Sequence, residues 1–309
     1  MAKKKKMPEI ALADAKKIAN SKAVQKKIQA LYKKVATDLA KEAAKLPKDG
    51  KISEKIKKNY LDQYVKQLEK EIDKLEEAIY KEVQVKMDLT AKAVVDANIK
   101  WMGKAGLNLA GAFDTIPEEV VKNLIYGKVY KKNWTFSKAL WKSGSKTKKD
   151  IHTIVAEGLA KQKPTYDIAK DLEKYVNPSA KKPWDWNKVY PGTSKKVDYS
   201  AQRLARTLLQ HAYQQTYRQV IKKNPFVTGV IWHSVFAYGR TCQACMDRDG
   251  QRFDKGKEPL DHPMGLCYLE PEIPLSMDEI ADQLADWAHG GHHPDIDEYV
   301  SDAFGHSGR

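Results

Sequence analysis

The chain has 309 residues, with 55 Lys and Arg against 40 Asp and Glu, which gives a net charge of +15 at pH 7. This length allows one or two domains with a sizeable buried core. No run of about 18 apolar residues occurs, so the sequence predicts no membrane span. The basic start, Met1–Lys6, is not followed by a long apolar stretch, and we therefore expect synthesis in the cytosol without a secretory signal.

Residues 1–117 are predicted to form a basic helical region. An Ala- and Lys-rich helix over 8–46 ends at the Leu46–Gly50 break, and a second helix begins after Ser53. Six apolar positions of that second helix follow a heptad spacing, namely Leu61, Val65, Leu68, Ile72, Leu75 and Ile79. This seam predicts a partner helix, which is either the first helix folded back or another protein.

The positive charge is concentrated at the front of the chain. Residues 1–150 carry 35 Lys and Arg against 19 Asp and Glu, whereas 151–309 carry 20 against 21. A Lys-rich surface can hold phosphates without reading sequence. It can equally be a solvated helix surface, because Lys keeps its charged end in water. Both interpretations stay open at this point.

Residues 118–224 are predicted to be a helical core, reached through a Gly-rich loop over 101–117. An irregular, aromatic-containing connection is expected over 181–194, and Thr165 is a candidate N-cap. The predicted helices cover 118–130, 136–143, 147–163, 165–176 and a stretch from Ser200 to about Lys222. His211 in the last of these is expected to be a packed or polar-face histidine rather than a ligand.

The amino-acid composition of the chain changes after Pro225. The β-branched and aromatic stretch 227–238 predicts a strand, and a Cys-x2-Cys turn and a short return strand near 250–253 complete a small β module over 225–272. Residues 273–309 are predicted to be an acidic tail with one short helix and a mobile, His-containing end. The predicted class is therefore mainly α (α+β), with long amphipathic helices first and a small β module near the end.

All three cysteines lie within 26 residues, together with one histidine. Cys242 and Cys245 form the Cys-x2-Cys pair, His262 follows after a gap of sixteen residues, and Cys267 lies five positions later. Thiolates and an imidazole at such spacing are typical ligands of a tetrahedral Zn²⁺. The sequence therefore predicts one structural zinc on these four residues, and the alternative is a chance cluster of ordinary thiols. The odd number of cysteines disfavours a disulfide framework.

Three blocks of sequence share a further pattern. The first block is Trp134–Trp141 with 150–159 and 165–172, the second is Arg203–Thr207, and the third combines Trp232, Cys242, Cys245, Asp249–Gly250, His262–Pro263 and Cys267. Together they resemble the phage head-morphogenesis, or minor head, protein family, typified by the second minor head proteins of tailed phages. Where that family has His-Pro-Asn-Cys-Arg-Cys, this chain has Met264, Gly265 and Leu266 before its last cysteine.

The resemblance covers about 118–272 and implies a structural role rather than an enzymatic one. It implies a virion protein that associates with the portal protein at the portal vertex and with coat or scaffold proteins. It would assist head assembly or the retention and delivery of the genome. Contact with packaged DNA through the Lys-rich half would be compatible with this role.

Two other functions are considered from the residues themselves. The Asp261-His262-Pro263 sequence beside the Cys-x2-Cys pair superficially matches a zinc-stabilised His–metal nuclease, in which His262 would serve as the general base. A DNA-binding zinc module with a coiled-coil arm is the other alternative. Its base readout is disfavoured because basic and acidic residues balance one another around the cysteines.

Overall fold

A computed structural model describes residues 7–45, 53–130, 134–161, 163–179, 198–236 and 241–304. These residues are mainly helical, with a small three-stranded antiparallel sheet and a Cys/His cluster near the C-terminal end. The predicted fold class is confirmed at this level. The predicted break at Leu46–Gly50 and the predicted connection over 181–194 lie outside the described residues.

The elements follow one another in a simple order. The helices that precede the sheet are α1 (Pro8–Ala43), α2 (Glu54–Lys104), α3 (Thr115–Ile125), α4 (Phe136–Ala160), α5 (Thr165–Val176) and α6 (Tyr199–Lys222). The remaining elements are β1 (Gly229–His233), α7 (Gln243–Arg248), β2 (Arg252–Asp254), β3 (Tyr268–Glu272), α8 (Met277–Ala288) and α9 (Pro294–Phe304). None of the described helices combines the length and the apolar character that are needed to cross a bilayer.

The chain divides into two compact units. We call the first the terminal unit, which comprises Met1–Lys22, Gln84–Lys131 and Arg206–Arg309. We call the second the middle unit, which comprises Ala23–Val83 and Lys132–Ala205. The four-segment division expected from the sequence, at 1–117, 118–224, 225–272 and 273–309, stays a prediction.

The core of the middle unit contains the predicted heptad seam. All six seam residues are at most 6% exposed, and the hydroxyl of Tyr64 on α2 donates to the carbonyl oxygen of Leu39 on α1 at 3.1 Å. The seam is therefore covered by the chain's own first helix. The alternative that it stays open to dock another protein is wrong, because its apolar side chains have no exposed surface to offer.

Helix α4 is continuous, although two helices over 136–143 and 147–163 were predicted. A glycine inside a helix costs only about 1 kcal/mol relative to alanine, and tertiary packing along the helix outweighs that cost at Gly144. Helix α5 has the predicted bounds. Its N-cap position is Pro164, however, and Thr165 is the first helical residue rather than the cap.

The terminal unit buries the end of α2 against the C-terminal helices. Trp101 and Met102 pack in one cluster with Ile280 of α8 and with Ile296 and Tyr299 of α9. The predicted loop over 101–117 begins late, because α2 continues to Lys104. The predicted mobile end is also wrong as far as residue 304, since α9 forms a packed helix there; His306 lies outside the described residues.

The sheet has the order β2-β1-β3, and both pairings are antiparallel. Val230 and Trp232 of β1 are fully buried and belong to the same apolar cluster as Cys245 and Cys267. Because side chains alternate along a strand, this face of β1 points into the core. The buried face of the sheet therefore packs against Cys245 and Cys267.

Candidate metal centre

The four predicted ligands come from two stretches of chain on either side of β2. Cys242 is the N-cap residue of the short helix α7, and Cys245 lies in its first turn. His262 and Cys267 lie in the loop that leads into β3. A single turn of helix brings the two members of a Cys-x2-Cys pair to one side, and the strand pairing returns the other two.

The structure brings Cys242, Cys245 and His262 into one group and places Cys267 beside Cys245. The Sγ of Cys245 lies 3.1 Å from Nε2 of His262 and 3.5 Å from the Sγ of Cys267. The ligand atoms of Cys242, Cys245 and His262 all lie within 4.8 Å of one another. Ligands around one tetrahedral zinc are separated by about 3.5–3.8 Å, given Zn–S of about 2.3 Å and Zn–N of about 2.0 Å. The donor types suit a zinc ion, and Cys242, Cys245 and His262 form the group that could hold one, whereas Cys267 is grouped with Cys245 and Asp261.

Cys245 occupies an environment that disfavours a free thiolate. Burial raises the pKa of the Cys245 thiol well above its usual range, and the neighbouring thiols of Cys267 and Cys242 add to that effect. The thiolate is the form that attacks substrates and binds metals. Without a cation this cysteine is thus a poor nucleophile, whereas a bound divalent cation would stabilise the ionised thiols.

His262 is oriented as a ligand. Its Nδ1 lies 2.9 Å from the carbonyl oxygen of Pro263, so this nitrogen carries the proton, and Nε2 presents its lone pair toward Cys245. Metal-binding histidines commonly donate their other ring N–H to a carbonyl in this manner. The same orientation disfavours the general-base role of the nuclease alternative, because Nε2 faces the cysteines.

Asp261 holds the loop that carries the last two ligands. Its buried carboxylate accepts hydrogen bonds from the backbone N–H of His262 at 2.8 Å and of Cys267 at 3.1 Å. The amide of Gln210 on α6 donates to the same carboxylate at 3.0 Å and to the carbonyl oxygen of Cys267 at 2.6 Å. Asp261 also lies within ligand distance of Cys245 and Cys267, but these hydrogen bonds give it a positioning role.

Two further side chains support this loop. Nε2 of His211 on α6 lies 3.0 Å from the carbonyl oxygen of Asp261, and the hydroxyl of Tyr130 lies 2.6 Å from its Nδ1. Burial lowers the pKa of His211, so the ring is neutral, with Nε2 donating and Nδ1 accepting. His211 is a packing residue, as predicted.

Lys17 of α1 also reaches the loop, although 250 residues of sequence separate it from Cys267. It is 2% exposed, forms an ion pair with Asp14 at 2.7 Å, and places Nζ 3.5 Å from the carbonyl oxygens of both Leu266 and Cys267. Among the many lysines of the first helix, no sequence pattern distinguishes this one. Sequence reasoning therefore missed it, as it missed the positioning roles of Gln210 and Asp261.

The first half of the cluster is fixed by the end of β1. The backbone N–H of Gly250 donates to the carbonyl oxygen of Trp232 at 2.8 Å, and that of Ser234 donates to the carboxylate of Asp249 at 2.8 Å. The hydroxyl of Ser234 in turn donates to the carbonyl oxygen of Cys245 at 2.6 Å. Gly250 has a φ of +78°, a conformation that glycine adopts without steric cost.

No family model, curated protein or solved structure matches this chain.

Proposed function

We propose that the cluster binds one structural Zn²⁺ through Cys242, Cys245, His262 and Cys267. The observation that carries this proposal is that Cys242, Cys245 and His262 form a group that could hold one ion, and that the Sγ of Cys267 lies 3.5 Å from the Sγ of Cys245. The ion would join the segment between β1 and β2, which carries Cys242 and Cys245, to the segment between β2 and β3, which carries His262 and Cys267. The residues around it fix the loop by hydrogen bonds and leave the ligand atoms facing one another.

Cobalt(II) titration of the purified protein tests this ligand set. Cobalt accepts the same tetrahedral sites, and its thiolate charge-transfer absorption increases with the number of bound sulfur atoms. We expect absorption typical of three thiolates, reduced by about a third in Cys267→Ser. His262→Gln is the matched control, since it removes a ligand without removing a sulfur. Unchanged absorption in Cys267→Ser would exclude Cys267 as a ligand.

We infer further that the protein is a structural minor head protein of a tailed phage. This proposal is supported by the positions of the residues that carry the resemblance, which lie together around the Cys/His cluster. Trp232 is buried behind the cluster, Asp249 and Gly250 tie the end of β1 to α7, and His262 and Cys267 complete the donor set. Because all of these residues stabilise the same small β module, their pattern is consistent with a structural role.

In this role the protein would associate with the portal protein and with coat or scaffold proteins in the virion head. It would assist assembly or the retention and delivery of the genome. The buried heptad seam does not serve that association, so partners would bind to the polar outer surface. The Lys-rich half would be the part that lies against packaged DNA.

The position of the gene and the composition of particles test this role. We expect the gene to lie beside genes for a terminase, a portal protein and a coat protein. We also expect mass spectrometry of purified particles to detect the chain in fewer copies than the coat protein. A gene without such neighbours, or particles that lack the chain, would contradict the proposal.

A further inference from the structure

The three cysteines of the terminal unit differ in how far solvent reaches them. Cys242 is exposed, whereas Cys245 and Cys267 are each 3% exposed. The sequence contains no other cysteine. A dissolved oxidant can therefore reach the thiol of Cys242 directly, and it has little access to the other two thiols.

Cys245 is the cysteine that lies close to both of the others. The ligand atoms of Cys242, Cys245 and His262 form one group within 4.8 Å, and those of Cys245, Asp261 and Cys267 form a second. The Sγ of Cys245 lies 3.5 Å from the Sγ of Cys267. Because a disulfide has an S–S distance of about 2 Å, small side-chain rotations would bring these two sulfur atoms within bonding distance. Cys245 thus has two possible disulfide partners.

The two possible disulfides differ in exposure and in the segments that they would join. A Cys242–Cys245 bond would lie within one short helix and would keep one exposed sulfur, which leaves it open to reduction by dissolved thiols. A Cys245–Cys267 bond would have both sulfur atoms buried. It would also join the segment between β1 and β2 to the segment between β2 and β3, which are the two segments that the proposed zinc would join.

We propose that this cluster is a thiol oxidation site, at which hydrogen peroxide reacts with Cys242 and the stable product is a Cys245–Cys267 disulfide. The consequence of the oxidation rests on the proposed zinc centre. Disulfide formation would remove two of the four proposed ligands, release the ion and leave a covalent link between the same two segments. The thiol of Cys242 would be free again at the end.

The reaction has three steps, which together conserve atoms and electrons. Peroxide transfers one oxygen atom to the thiol of Cys242, which becomes a sulfenic acid, and one water leaves. The thiol of Cys245 attacks the sulfur of Cys242 and a second water leaves, so that a disulfide forms. Cys267 then attacks the sulfur of Cys245, and Cys242 leaves and takes up the proton of Cys267. In total, two thiols lose two protons and two electrons, and the peroxide is reduced to water.

His262 is placed to accept the proton of Cys245 in the second step. Its Nε2 lies 3.1 Å from the Sγ of Cys245, and its Nδ1 is bonded to the carbonyl oxygen of Pro263. Burial makes Cys245 a poor nucleophile toward dissolved reagents. The sulfur of Cys242 is held within 4.8 Å, however, and such proximity replaces a bimolecular encounter. Cys245 is therefore suited to react with its neighbours rather than with an outside oxidant.

Disulfide mapping of the full-length protein after treatment with hydrogen peroxide tests the site. Trypsin leaves Cys242 and Cys245 together on peptide 241–248 and Cys267 on peptide 258–309. We expect these two peptides to be linked, with the one remaining alkylated thiol assigned to Cys242 by fragmentation. A stable bond within peptide 241–248, or sulfinic acids without any disulfide, would overturn the proposal.

Two single variants separate the steps. Cys267→Ser blocks the third step, so a Cys242–Cys245 bond should be its final product. Cys242→Ser lacks the accessible thiol, so its Cys245–Cys267 bond should form about tenfold more slowly. Met246→Leu is the matched control, because it removes an exposed sulfur of the same helix that is not a thiol; it should react at the wild-type rate. Cys242→Ser reacting as fast as this control would overturn the proposal.

The zinc content of the untreated protein tests the proposed centre separately. Where zinc is bound, we expect one ion to be released for each disulfide formed. A chain purified without zinc that still forms the Cys245–Cys267 disulfide would support the oxidation site and contradict the centre. A zinc-loaded chain that forms no such disulfide would overturn the oxidation site and leave the centre intact.

Discussion

The space that a side chain at position 265 would need is filled by the carboxylate of Asp261. A Cβ built on Gly265 would lie 1.9 Å from Oδ2 of Asp261 and 2.1 Å from its Cγ. Asp261 cannot move aside without cost, because its carboxylate is buried and holds the backbone of His262 and Cys267. Glycine at position 265 is thus a packing requirement of this loop.

Gly265→Ala is therefore expected to destabilise the protein by about 1–3 kcal/mol, the usual range for overpacking. It should also weaken metal binding, since Asp261 must shift. The measurement is denaturant unfolding together with a zinc titration. Gly103→Ala is the control, because a Cβ there meets nothing within 4 Å and alanine in a helix is favoured over glycine by about 1 kcal/mol. A loss of stability no greater than that of the control would refute this account of the loop.

Glu76 makes the stability of the middle unit depend on pH. Burial, followed by the charge of Asp73, raises the pKa of Glu76 to about 7, above its ordinary value of 4.5. The folded chain then binds more protons than the unfolded chain between these values, so the contribution of Glu76 to stability falls as pH rises from 4.5 to 7. Glu76→Gln removes this loss.

We expect Glu76→Gln to melt above the wild type at pH 8, with the difference shrinking toward pH 5. Glu77→Gln is the control at the next position, because Lys81 lowers the pKa of Glu77 and its carboxylate is exposed. That variant should not gain stability at high pH. A difference between Glu76→Gln and the wild type that does not change with pH would contradict the assignment.

At the scale of elements, α1 is joined to the loop before β3 by Lys17, which lies 3.5 Å from the carbonyl oxygens of Leu266 and Cys267 and pairs with Asp14 on the same helix. Lys17→Met would leave the Asp14 carboxylate buried without its ammonium partner, which costs about 3–5 kcal/mol in comparable buried pairs. The double variant Asp14→Leu/Lys17→Met should recover much of this stability, because it removes both charges. Chemical denaturation measures both. A single variant as stable as the wild type would show that the pair does not hold the helix.

Several elements could be predicted because their patterns are local. The seam of α2, the β-branched strand β1 and the capping box of Ser276 and Glu279 at the start of α8 all appear in short stretches of sequence. Strand β3 was missed because Tyr-Leu-Glu-Pro-Glu lacks the usual strand residues. Its Pro271 is tolerated because β3 lies at the edge of the sheet. Helix α9 was missed because its acidic and His-containing context was given more weight than the spacing of its apolar residues, Ile296, Tyr299 and Ala303.

In the candidate metal centre, too, some residues could be predicted from the sequence and others could not. The four proposed ligands could be found from their spacing, since a Cys-x2-Cys pair and a later His and Cys are close in sequence. The residues that hold the loop could not. Lys17 and Gln210 are 250 and 57 residues away from Cys267, and only the tertiary fold brings their side chains to its carbonyl oxygen.

At the scale of the whole molecule, the apolar faces of the described helices are largely buried, whereas most of the charged side chains are exposed. The seam that the sequence left open to a partner is buried in the middle unit, and the acidic helices α8 and α9 pack on the core of the terminal unit. The proposed partners would therefore be recognised mainly through charged surfaces. Because such contacts weaken with salt, we expect the proposed association with head proteins and DNA to be lost at high ionic strength, which co-sedimentation at low and high salt would measure.

The proposed zinc would hold the loops on either side of β2 together in the terminal unit. The most direct test is the zinc content of the purified full-length protein, measured together with hydrogen exchange before and after treatment with a strong chelator. We expect one zinc per chain, and chelation should remove protection from residues 229–272 while the heptad seam of α2 stays protected. Zinc well below one per chain, with protection of 229–272 unchanged by the chelator, would contradict the proposed centre.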